Sequence, residues 1–180
     1  MNFPALRPLF TVGLLTLAGL CSLLTGCAAT SSAAPAANVA TASVQQLDTV
    51  LRGAASNRPV SLQLSTNQVR TGDTLGVQLR ATRGGHAYLF QLGTDGKTLS
   101  MVFPNAVDGA NHLAPDTTLV LPRETWRMTA RGPAGLGYML AVVTDQPLDL
   151  LALQAQVQSG KLEIAGAYGA GLAALREVAP

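Results

Sequence analysis

The chain has 180 residues, of which 48% are hydrophobic, 4% aromatic and 12% charged, with 12 Lys and Arg against 10 Asp and Glu and a formal net charge of +2. The charges are scattered rather than clustered, which leaves nucleic-acid binding and polybasic membrane attachment without electrostatic support. One domain is the natural count for this length.

Residues 1–8 carry Arg7 and no acid, and residues 9–24 are mostly Leu, Ala, Gly and Val. These are the n-region and h-region of a secretory signal. The apolar run has about 16 residues and is interrupted by Thr11, Gly13, Thr16, Gly19 and Ser22, so it falls short of the ~20 that span a bilayer as a helix. Leu24-Thr25-Gly26-Cys27 closes it and resembles the bacterial lipoprotein signal. That resemblance implies a diacylglycerol thioether on Cys27, cleavage of the Gly26–Cys27 bond and acylation of the new amine. A plain signal peptide with a cysteine near its end is the alternative. Several acyl chains on one residue anchor firmly where a single chain is marginal. Ala28 and Ala29 follow, with no Asp in the position that resembles an inner-membrane retention signal, so the expected address is the outer membrane, facing the periplasm.

The second cysteine, Cys21, lies in the segment to be removed, so the mature chain of about 154 residues has no disulfide and depends on its core alone. Residues 27–42 are mainly Ala, Ser, Thr and Pro, with Asn38 and Val39 but no charge. They read as a flexible tether with a typical reach of roughly 20 Å. An amphipathic helix is expected over 43–58, where Val44, Leu47, Val50, Leu51 and Ala54 repeat at helical spacing. Ser43 to Gln46 has the form of a capping box, and Asn57-Arg58-Pro59 is the stop. This segment lacks the basic polar face of membrane-surface helices and is expected to pack on the domain that follows.

From Pro59 the hydrophobic period becomes two. Val60, Leu62 and Leu64 alternate with polar residues, as do Leu75, Val77 and Leu79 after the turn at Thr71-Gly72-Asp73. Strands are expected over 87–92 and 98–103, joined through Asp95-Gly96, whose glycine supplies the positive backbone angle of a tight hairpin. Further strands are expected over 117–121, 125–130 and 137–144. About seven short strands at this spacing favour two packed antiparallel sheets, placing a β-sandwich over 59–149. Residues 150–180 read as a helix and a C-terminal tail. In the helix, Leu148, Leu151, Ala152 and Ala155 share a face and Gly160 is the stop. In the tail, residues 161–165 could form an edge strand and 172–178 a short helix, while Gly166 to Gly171 reads as a flexible turn.

The series Gly84-Gly85-His86-Ala87-Tyr88-Leu89-Phe90, Asp95-Gly96, Phe103-Pro104-Asn105, Asn111, Leu121-Pro122, Gly132-Pro133-Ala134-Gly135 and Pro147-Leu148 resembles a bacterial family, domain of unknown function forty-three eighty-four. The resemblance runs from about Val69 to Asp149. It implies a mostly β, immunoglobulin-like antiparallel β-sandwich of a kind that recurs in envelope and signalling proteins, without an agreed activity.

Physical reading makes most of these motifs structural. Alternation sets Tyr88, Phe90 and Leu92 on one strand face and Ala87 and Leu89 on the other. Pro104 stops the ladder after Phe103, and Asn105 caps the turn. The loops from Phe103, Pro104 and Asn105 through Asp108, Asn111 and His112 form the candidate interaction surface, because loops on a rigid sandwich often carry function. The only histidines, His86 and His112, together with Asp108 and Asp116, supply too few ligands for zinc and lack the dense acids of a calcium loop. No serine sits in a nucleophile elbow, and Glu124, Glu163 and Glu177 are far apart in sequence. Trp126, the single tryptophan, shares a strand face with Met128 and is expected in the core; flanked by Arg123 and Arg127, its alternative is an interface anchor.

No enzyme activity, cofactor or metal is expected. The expected role is an outer-membrane lipoprotein, held to the membrane through Cys27, whose sandwich binds an envelope protein, in one version as an accessory of a secretion or surface-assembly system. A periplasmic ligand-binding protein or hydrolase using the loop from Asp108 to Asp116 is the alternative.

Overall fold

The computed structural model describes residues 36–179. The signal segment, the Gly26–Cys27 bond with its lipid-bearing cysteine, and residues 27–35 of the tether lie outside the described residues. The elements in chain order are α1 (Ala36–Gly53), β1 (Val60–Leu64), β2 (Gln68–Arg70), β3 (Thr74–Leu75), β4 (Val77–Ala81), β5 (Gly85–Leu92), β6 (Leu99–Phe103), β7 (His112–Leu113), β8 (Thr118–Leu121), β9 (Met128–Thr129), β10 (Gly135–Thr144), α2 (Leu150–Gln158) and β11 (Tyr168–Val178). The chain is mostly β, as its alternation predicts.

A six-stranded sheet with the path β2-β11-β10-β5-β6, extended by β7 on β5, forms the middle layer. The three-stranded sheet β1-β4-β8 covers one face, and β3 and β9 form a separate ribbon. All pairings are antiparallel except β2 with β11, which is parallel. The period of two places Tyr88, Phe90, Leu140 and Val142 on the helix side, packed with Leu47 and Val50 of α1 and Leu153 and Val157 of α2. On the opposite side Ala87, Leu89, Met139 and Ala141 meet Leu79 and Leu121 of the smaller sheet. Burial on both faces explains why β5 and β10 read as nearly continuous apolar runs.

Several expectations are corrected. α1 starts at Ala36, ahead of Ser43, so Ser43 is no cap; alanine-rich sequence has high helix propensity as well as the look of a tether. Gln46 instead donates through Nε2 to Leu162 O at 2.9 Å. The helix ends at Gly53, against which the Tyr168 hydroxyl packs, leaving no room for a Cβ. That hydroxyl donates to the otherwise open carbonyl of Val50 at 2.8 Å, and burial pushes the phenol pKa up. Residues 161–165 are not a strand, but Leu162 is buried beneath the helices. On α2 the buried residues are Leu153 and Val157 rather than Leu151 and Ala155, with Asp149 as N-cap. Gly160, in the left-handed region, follows its C-cap as expected.

The largest correction is at the C-terminus. Residues 172–178 belong to the long strand β11, and the glycine-rich stretch before them is no flexible turn. At Gly169 and Gly171 the backbone leading into and starting β1 crosses so closely that a Cβ would strike Arg58 O or Val60 O, respectively. These glycines admit the close approach of a second strand.

Candidate functional site

The Phe-Pro-Asn loop is built as a closed turn. β6 ends at Phe103, which is fully buried among residues of the sandwich core. Asn105 N donates to Asp108 O at 3.0 Å, and its Oδ1 accepts from Val107 N at 3.1 Å and from Asp108 N at 3.0 Å. Its Nδ2 donates to Val102 O at 3.1 Å. One asparagine therefore satisfies backbone groups on both sides of the turn, as its position after Pro104 predicts.

This turn directs Asp108 inward, where it is only 7% exposed. A buried carboxylate needs charged or hydrogen-bonding partners. Arg123, just after β8, donates to Oδ1, and Trp126 Nε1 donates to Oδ2 at 2.9 Å. Arg123 also donates to Ala110 O at 2.9 Å, and its guanidinium carbon lies 5.5 Å from the centroid of the Phe103 ring. The loops before β7 and after β8 are thus joined through a single carboxylate.

Trp126 departs from the expected strand position. The strand expected over 125–130 shrinks to Met128–Thr129, and Trp126 sits before it in the loop, half-buried against the sandwich core. It lines a groove of about 550 Å³ with Arg123, Glu124, Arg127, Pro122 and Leu75. Arg127 has no carboxylate within ion-pair distance among the described residues. Trp126 thus packs against the sandwich core, as expected, while also bordering the groove.

The remaining candidates separate. Asn111 Nδ2 donates to Ala87 O at 3.2 Å, while Ala87 N donates to Asn111 O at 2.8 Å, tying the loop to β5. His112 lies directly across from His86, with ring centroids 5.6 Å apart and planes at 82°. His86 Nδ1 is buried without a hydrogen-bond partner among the described residues. Asp116 faces Arg80 at 3.4 Å on the surface. Asp108, His112 and Asp116 therefore each engage a different partner, and the loop that holds them builds no joint acid–histidine site. Among the described residues no three His, Cys, Asp or Glu side chains converge as metal ligands.

Nothing in the sequence links Asp108 to Arg123, although both flank recognisable motifs. Residues 68–147 match the model of the family described as Domain of unknown function (DUF4384). Over these residues the chain is similar to that family. The matched residues include every member of the Asp108, Arg123 and Trp126 cluster as well as the Asn105 turn. Comparison with curated proteins gives no match. The region similar to DUF4384 thus presents a braced loop cluster.

Proposed function

We propose that this protein is an outer-membrane lipoprotein, anchored through lipid on Cys27, whose DUF4384-like region docks a protein of the cell envelope. In its specific version it serves as an accessory of a secretion or surface-assembly system. The observation that carries the docking role is the half-buried Trp126, locked by the buried Asp108 carboxylate at the side of an open groove. Tryptophan and arginine dominate the energetics of protein interfaces, because a large rigid surface can be buried at little entropic cost. A tether would hold the domain near membrane-bound partners and raise its effective concentration there.

The test uses the full chain in cells, with a photo-crosslinking side chain at Arg127 on the groove and, as control, at Leu151 on the exposed side of α2. A defined protein adduct at Arg127 that is absent at Leu151 is expected, and Trp126→Ala should lower its yield at least tenfold. Equal adducts at both positions, or none at Arg127, would remove the groove as the docking face. Separately, Cys27→Ser should move the protein from the membrane fraction to the soluble periplasm; an unchanged distribution overturns the lipid anchor.

A further inference from the structure

β6 is the outer strand of the six-stranded sheet and pairs only with β5. Gly93 N donates to Thr98 O at 2.8 Å at the hairpin mouth, and antiparallel rungs alternate, so the next hydrogen-bonded rung falls at Gln91 and Ser100. The backbone N–H and C=O groups of Leu99 and Met101 consequently point away from the sheet. Among the described residues none of them takes a partner from outside the ladder.

Natural edges are usually blunted by charge, proline or a bulge. Leu99-Ser-Met-Val-Phe103 has neither charge nor proline along its length. Its protection is confined to one end, where the register shifts near Val102 and Asn105 Nδ2 occupies Val102 O. Beside the open stretch runs a groove of about 370 Å³ between β6 and α2, lined by Leu99, Met101, Val157, Gln154, Gln158 and Asn105. No residue lining it is charged.

We infer that this groove binds an extended segment of a partner protein, which adds to β6 as a further antiparallel or parallel strand. Leu99 and Met101 supply two donors and two acceptors to the incoming backbone. Alternate side chains of the segment lie over Met101 and Val157, and the uncharged walls disfavour a charged side chain there, since a charge desolvated without a counter-charge is costly. This is strand addition, in which main-chain bonds give affinity and flanking pockets read every second residue. It rests on the sheet edge, independently of the Trp126 groove.

The experiment titrates the full chain, labelled with nitrogen-15, with an acetylated and amidated hexapeptide of alternating threonine and valine. Two analogues carry N-methyl groups on alternate residues or glutamate in place of valine. Saturable shifts centred on the Leu99 and Met101 amides are expected, with their hydrogen exchange slowed at least tenfold. N-methylation and glutamate should each weaken binding at least tenfold. Gln154→Trp, an exposed helix position that fills the groove without touching the core, should do the same. No saturable response at millimolar peptide overturns the inference, as does equal binding of the N-methylated analogue. If those amides are already protected in a dimer of the free protein, a second copy is the occupant and the inference also fails. A peptide response confined to Trp126 fluorescence would overturn strand addition and leave the docking groove standing.

Discussion

Asp108 shows how a buried charge is made tolerable: the turn closed by Asn105 brings it in, and Arg123 and Trp126 supply donors to both oxygens. Asp108→Ala should lower stability by about 2 kcal/mol, the range for hydrogen bonds to charged groups. With the indole released, the emission of the single tryptophan should shift to the red; an unchanged spectrum and melting curve would contradict the clamp. Asp95 and Asp145 carry a pH prediction. Thr98 donates to Asp95 from its side chain and backbone, and Lys97 adds a backbone N–H, which together hold that carboxyl below the usual range. Arg58 donates to both oxygens of Asp145 with the same effect, opposed by partial desolvation. A carboxyl whose pKa is lower when folded stabilises the fold above its unfolded value, near pH ~4, and loses that contribution as pH falls through the folded value. Asp95→Asn should therefore melt below the parent at neutral pH, and the gap should narrow as pH falls below ~4 through the folded value. A constant difference across that range would count against the assignment. The asparagine turn was legible in the sequence because its partners are local. The Asp108 clamp was not, because Arg123 and Trp126 reach it only through the packing of separate loops.

Elements with strong local chemistry follow their sequence closely. Asp95-Gly96 forms the predicted hairpin, with Gly96 at positive φ and Asp95 Oδ1 accepting from Lys97 N and Thr98 N, each at 2.9 Å. Elements defined by distant pairing do not. β2 has three residues and β7 two, too few for a period, and each exists because a neighbouring strand completes its ladder. β11 is hidden by its glycines, whose purpose appears only when β1 is laid across them. Gly171→Val tests that reading, because a Cβ at this position would lie 2.6 Å from Val60 O. Overpacking of this kind costs about 1–3 kcal/mol, and backbone contact places the loss at the upper end. Gly109→Ala, with no atom within 4 Å of the new Cβ, is the matched control and should stay within about 0.5 kcal/mol of the parent. Thermal or urea unfolding of both variants reads the difference directly; equal stability would mean that β1 can move aside.

The boundaries of the family match and of the folded unit differ. Residues 68–147 contain β2 through β10, but the sheet path β2-β11-β10-β5-β6 requires β11 between two matched strands. Without β11, β2 loses its partner and β10 becomes an open edge. Without α1 and α2, Tyr88, Phe90, Leu140 and Val142 lose the cover of Leu47, Val50, Leu153 and Val157. Fully burying a large apolar side chain contributes about 1.5–3 kcal/mol, so exposing four of them removes an amount comparable with the ~5–15 kcal/mol that holds a whole domain. The segment 68–147 produced alone should therefore show no cooperative melt and little amide dispersion, whereas the full chain should unfold in one sharp transition. Restoring only residues 148–179 should return β11 and α2 but leave Tyr168 without Val50 and β4 without β1, giving a broad, low-temperature transition. A sharp transition for the 68–147 segment by itself would show that the matched region folds as a unit and that the flanking elements decorate it. The present packing argues the opposite, since the flanking segments supply an interior strand of the larger sheet and an edge strand of the smaller one.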